Sequence, residues 1–243
     1  MSVAIVGDGT LESTWSPWLG SRTWPLLDLA SVAGRRVVVL ASHPDDEVLG
    51  VGGLMHALAL RRHEIVIAWA TDGEASHPAS TVMSRPELAR IRREESQQAL
   101  AQLGVTPVAT HHLGLPDSQL TSCADALRDA VVTIICPGDV VLAPWSSDGH
   151  PDHDALGEVA ADLVGVTTWH YPIWAWHWAW PNDERVPWDR FRGVAVPHPA
   201  AKAGAIDCFR SQIDPLGAAA ADAVILPPQI LARFRRDTEW VIT

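Results

Sequence analysis

The chain has 243 residues, 47% apolar and 19% charged, which suits one soluble globular domain of α/β size with a full hydrophobic core. A net charge of −11 argues against nucleic acid, whose binding surfaces are basic, and no Lys/Arg cluster is present for an anionic membrane surface; a neutral or cationic small molecule fits this balance. No apolar run approaches the roughly 20 residues of a membrane span, and no basic-then-apolar leader is seen. Cys123, Cys136 and Cys208 lack C-x-x-C spacing, so free thiols in a reducing cytoplasm are expected.

Residues 1–34 show weak periodicity and read as an N-terminal extension packing on a domain that runs from 35 to 243. From Arg35 onward, β-rich apolar runs alternate with amphipathic segments. The first strand is expected over Arg36–Ser42, followed by a helix over Glu47–Arg62 with apolar residues at 48, 51, 54, 55 and 58. A strand over Glu64–Thr71 precedes a helix over Arg85–Leu103, which Gly104 stops. Next come a strand over Val108–Leu113, a helix over Ser122–Ile135, a strand over Val140–Pro144 and a helix over Asp152–Leu163. A strand near Thr168–Trp174, a short one at Val194–Val196, and helices over Pro199–Ser211 and near Pro228–Arg236 complete the series. Such alternation predicts a Rossmann-like, doubly wound, mostly parallel sheet flanked by helices.

In such sheets ligands sit beyond the carboxyl ends of the strands. Four polar clusters fall there: "SHPDDE" (42–47), "TDGEASH" (71–77), "LGLPDS" (113–118) and "PWSSDGHPDHD" (144–154). Asp45, Asp46 and Glu47 stand side by side next to His43, an arrangement whose mutual repulsion a divalent cation would relieve. His43 and Asp46, three residues apart at a strand-to-helix turn, can face one point. The cluster His150-Pro151-Asp152-His153 can supply a further imidazole, and spacing alone leaves open which of its two histidines does so. Two histidines and one carboxylate with an open position form a catalytic zinc pattern. The spare aspartate would sit beside the cation, able to take a proton from water. Carboxylates merely favoured by the dipole of a helix N-terminus are the competing explanation; two matching clusters at matching strand ends weaken it.

These residues resemble the LmbE-like/PIG-L family of zinc-dependent de-N-acetylases. The family's AHPDDE motif reads Ser42-His43-Pro44-Asp45-Asp46-Glu47 here, and its H-P-D-H motif is intact at 150–153. "TDGEASH", the Arg92–Gly104 segment, "LGLPD" (113–117), Lys202 and Ser211-Gln212 extend the resemblance over about residues 35–240. It implies that His43, Asp46 and His153 bind one zinc ion, or iron or another divalent metal in its place. It implies also that Asp45 is the general base, that His150 stabilises or protonates the transition state, and that Asp152 orients His150. Arg92 and Asp117 align with positions that hold the sugar. Where some relatives carry a tyrosine that polarises the amide carbonyl, this chain has Asp148, which is expected to contact a substrate hydroxyl or amine. The implied activity is hydrolysis of the acetamide of an N-acetylglucosamine-type conjugate. Cleavage of another amide is the alternative, and a sugar-binding protein without chemistry ranks below both.

Trp174, Trp176, Trp178 and Trp180 recur every second residue, so an extended segment would put all four indoles on one face. A packed edge or subunit interface, compatible with a homo-oligomer, is preferred over a platform for sugar rings. Gly50, Gly52 and Gly53 do not form G-x-G-x-x-G after a strand, so they read as close helix–sheet packing rather than a phosphate cradle.

Overall fold

A computed structural model describes residues 7–243; the first six residues of the predicted extension lie outside the described ones. Val37–Ala41 (β1) and Ile65–Trp69 (β2) are continuous apolar runs, buried on both faces, as central parallel strands require. Ala109–His112 (β3), Val140–Pro144 (β4) and Thr167–Tyr171 (β5) continue the parallel part of the sheet. The strand order is β3-β2-β1-β4-β5, followed by Thr238–Ile242 (β7) and then Phe191–Ala195 (β6) at the edge.

That antiparallel edge is where the sheet departs from expectation. β7 pairs with β6 along five residues and with β5 through His170 and Ile242. The expected strand at Val194–Val196 begins earlier, and Thr238–Ile242 had not been expected as a strand. The outer edge of β6 is in turn covered by the chain around Pro25–Leu27, which exchanges two backbone hydrogen bonds with Gly193.

Alternation along each strand sends side chains to two cores. Val37, Val39 and Ala41 face one, with Glu12–Gly20 (α1), Asp46–Leu60 (α2), Arg85–Leu103 (α3) and Pro199–Ile206 (α7). Val38 and Leu40 face the other, with Ala124–Ile134 (α4) and Pro151–Ala161 (α5). α1 enters the first core through Trp15 and Leu19, one turn apart, and Trp15 packs edge-on against Trp176 with ring centroids 5.1 Å apart.

The expected helix over Pro199–Ser211 divides into α7 and a short Arg210–Ile213 (α8). The last helix, Pro228–Leu231 (α9), passes into a 3₁₀ turn, Ala232–Phe234. The tryptophan-rich stretch is not extended. β5 ends at Tyr171, and Ala175–Trp178 (α6) forms one turn of helix. Its indoles therefore diverge: Trp176 is buried in the core, Trp178 stacks on Trp145 and Trp180 is 54% exposed.

Helix α2 packs close against the sheet because it carries glycine where a neighbour leaves no room. A Cβ at Gly50 would stand 2.4 Å from the ring of Tyr171, itself fully buried and donating from its hydroxyl to Leu40 O at 2.7 Å. Gly50→Ala is therefore expected to destabilise the fold by about 1–3 kcal/mol, the usual cost of overpacking. Chemical denaturation would register this as a lower midpoint at unchanged slope; a midpoint equal to the parent's would contradict the packing argument.

Candidate active site

Sheet order reverses between β1 and β4, whose neighbours leave in opposite directions, and the gap beyond their carboxyl ends is where ligands bind in this architecture. Ser42–Asp45 leaves β1 there, and the turn before α5 leaves β4 beside it. His43, Asp46 and His153 meet at that point, each offering a ligand atom within 4.8 Å of the others. Asp46 is fixed by accepting from the His43 amide at 2.9 Å, and its other oxygen lies 3.3 Å from Nε2 of His153. Among the described residues, His43, His150 and Asp152 form a second such group, which shares His43 with the first.

The donor set fits a cation. Nε2 of His153 is buried without a hydrogen-bond partner, an orphan that a metal would satisfy. Burial alone would lower the pKa of His43, but hydrogen bonds with Asp117, Asp152 and Asp46 hold it well above the ordinary value. His153 is likewise raised to about 9 against its burial, chiefly by the charge of Asp46 and the hydrogen bond with Asp148. Carboxylates that draw protons onto buried imidazoles would draw a divalent cation in their place, since metal binding displaces ligand protons.

Asp45 caps the approach to α2 with φ 122°, a conformation that non-glycine residues avoid. Such strain costs about 1–3 kcal/mol and persists where the surroundings over-determine it. Here Arg92 does so, with Nη2 donating to Pro44 O at 2.5 Å and to the Asp45 carboxylate at 3.0 Å. Nη1 of Arg92 reaches Gly73 O at 2.8 Å, so close to the Gly73 Cα that a Cβ there would collide with the guanidinium. Burial pushes the Asp45 carboxyl up to about 7; Arg92 opposes the rise and Asp46 adds to it.

His150 caps α5 by accepting from the Asp152 amide on Nδ1, so its neutral ring carries the proton on Nε2. Burial, with the neighbouring His153 and His43, lowers it to about 3 and keeps it neutral. The carboxylate of Asp152, expected to orient His150, has its hydrogen bonds with His43 Nε2 at 3.3 Å and with the amides of Ser118 and Leu120. From the first turn of α5 an Asp152 oxygen still lies within 4.8 Å of a His150 ring nitrogen, so its charge is felt by that ring without a hydrogen bond to it.

The expected substrate contacts divide. Arg92 and Asp117 line the cavity over this cluster, which has a volume of about 340 Å³. Asp117 also lies 3.2 Å from His43 Nε2 and accepts from the Ala75 amide. Asp148 has no exposed surface; four donors of the protein itself occupy its carboxylate. The expectation that it meets substrate therefore gives way to burial. Sequence reasoning did not assign the apolar lining of the cavity, formed by Leu49, Ile173, Trp174, Ile225 and Leu226. Of these, only Trp174 stood out beforehand, and a strand periodicity concealed its direction.

Comparison with known proteins gives the same architecture a lineage. The family model described as PIG-L, GlcNAc-PI de-N-acetylase, matches residues 38–164. Over 135 residues the chain is 33% identical to diacetylchitobiose deacetylase of Thermococcus kodakarensis, covering 54% of this chain and 49% of that one. It is 28% identical over 146 residues to a probable N-acetyl-alpha-D-glucosaminyl L-malate deacetylase 2 of Bacillus anthracis, covering 54% and 60%. The chain thus spans about half the length of the curated relatives it matches. In fold it is similar to N,N'-diacetylchitobiose deacetylase from Pyrococcus horikoshii, with a TM-score of 0.55 at 24% identity over 74% of this chain and 71% of the other.

Proposed function

Because the chain belongs to the PIG-L, GlcNAc-PI de-N-acetylase family, we propose that it is a metal-dependent N-deacetylase that hydrolyses the acetamide of an N-acetylglucosamine-type conjugate. The observation that carries this reading is the triangle of His43, Asp46 and His153 beside a strained Asp45 at the floor of a cavity. His43, Asp46 and His153 would hold the cation, zinc in this reading, whose chemistry when bound is to acidify water and counter charge developing on the amide oxygen.

The chain's own groups supply the proton traffic. Asp45, held by Arg92 and outside the ligand triangle, accepts the proton that attacking water loses. His150 offers Nε2–H to the amide oxygen as it becomes negative, a fixed donor in a partly enclosed site. Asp45 then returns its proton to the departing nitrogen as the C–N bond breaks, and the remaining proton of the acid passes to the amine, so that water and the amide become acetate and an ammonium group. Asp117 and Ser118 lie on the polar side of the cavity, where sugar hydroxyls find partners. A reducing cytosol suits the three unpaired cysteines, and among the described residues no helix is long and apolar enough to cross a membrane.

The test is primary-amine release from N-acetylglucosaminides of varied aglycone by zinc-loaded protein. Release from at least one member is expected. If none is deacetylated while zinc is fully bound, the amino-sugar reading fails, and release from other N-acyl amides would identify the alternative.

A further inference from the structure

Asp148 gathers two parts of the site that the sequence keeps apart. Its Oδ2 stands 2.8 Å from His153 Nδ1 and 2.8 Å from the amide nitrogen of Trp174. Its Oδ1 accepts from the amides of Ile173 and Ala175, each at 2.9 Å. Its carbonyl accepts from the Trp178 indole at 2.6 Å. The carboxylate and His153 are both fully buried, so neither can exchange these partners for water.

A carboxylate that already accepts from backbone amides also accepts here, so Nδ1 of His153 carries a proton, and a cation that displaces the other proton finds the lone pair of Nε2 on the side of Asp46. A histidine that ligates a metal is typically held by such a partner, which fixes its tautomer and ring direction. The same oxygen anchors Trp174, whose ring lines the cavity and lies nearly parallel to that of His150, with centroids 6.4 Å apart and 21° between planes.

We propose that Asp148 is a positioning residue that sets the metal-facing nitrogen of His153 and, with the same carboxylate, the Trp174 wall of the substrate cavity. The inference rests on the metal-dependent reading above. It makes the tryptophan-rich turn a part of the site whose placement depends on the same side chain as a metal ligand. Asparagine is the discriminating replacement. Its oxygen can keep the Ile173 and Ala175 amides, but its NH₂ confronts two donors where Oδ2 accepted two.

The experiment titrates zinc and cobalt into the metal-free full chain against a chelating indicator, for the parent, Asp148→Asn and Trp174→Ala. Asp148→Asn is expected to bind both metals about 10–100-fold more weakly, with an altered visible spectrum of the cobalt form. Trp174→Ala should bind them as the parent does. With metal saturating, both variants should show a raised KM for any amide the parent cleaves, and an unchanged KM in Asp148→Asn would remove Trp174 from the proposal. A folded Asp148→Asn with parental metal affinity would overturn it. Should that variant not fold, ¹⁵N shifts of His153 in the zinc-loaded parent decide instead: a proton on Nδ1 is expected, and one on Nε2 refutes the inference. Metal binding is read without substrate, so loss of the deacetylase reading would leave this result standing on its own.

Discussion

Asp45→Asn is expected to leave metal content unchanged while lowering turnover by about 10²–10⁴-fold, the usual worth of a positioned general base. Asp45 stands outside the His43, Asp46 and His153 triangle, and its carboxylate faces Arg92 at 3.0 Å. The amide side chain occupies the same volume, and asparagine tolerates positive φ as well as aspartate does, so the backbone at φ 122° has no new reason to move. What disappears is proton affinity, which burial otherwise brings to about 7, close to neutral pH. Metal analysis and steady-state rates on the same preparation decide the matter. Near-parental turnover at full metal occupancy would mean that another group takes the proton from water.

The site's ingredients were legible because the residues that supply them sit on neighbouring parallel strands. β1 ends at Ala41 and β4 at Pro144, and pairing of Val37–Val39 with Val140–Leu142 brings the next residues of both to one gap. Apolar runs announce such strands, and the polar motif after each run then has only one place to go. Which carboxylate meets which imidazole is a different matter, decided by side-chain direction over a few ångströms. Spacing therefore could not show that Asp152 turns to His43, or that Asp148 withdraws from the cavity to hold His153. The tryptophan stretch misled for a related reason. Its period of two suits a strand, yet Asp148, about 25 residues upstream, accepts three successive amides and winds Ala175–Trp178 into a turn of helix. A distant carboxylate outweighed the local pattern. β7 escaped notice likewise, since its pairing with β6 joins residues more than 40 positions apart and no helix alternates with it.

Breaking the buried pair of Lys202 and Glu239 should cost the fold more than any surface change. The two side chains are 3% exposed, with Nζ 2.6 Å from the carboxylate and 2.9 Å from Leu49 O. Helix α2 is interrupted at Val51, and there the amides of Gly53 and Leu54 donate to Glu239 at 2.7 and 2.8 Å instead of completing the helix. The pair thus supports a kink less than two turns from Asp46 and two residues from Leu49 in the cavity wall. Lys202→Met strands a buried carboxylate and Glu239→Gln a buried ammonium, each expected to lose about 3–5 kcal/mol. For a chain of this size that lowers Tm by roughly 6–20 °C, at about 2–4 °C per kcal/mol. The double variant Lys202→Met/Glu239→Gln should recover part of the loss, because no charge remains and the carboxamide oxygen still accepts from the kink. Full replacement of Glu239 by an apolar residue should not recover it, since the Gly53 and Leu54 amides would be left without an acceptor. Calorimetry of the parent, the two single variants, the double variant and the variant apolar at 239 separates these expectations. If the double variant melts at or below the lower single, the kink's amides rather than the charges dominate, and the ion pair is not what holds α2 in place.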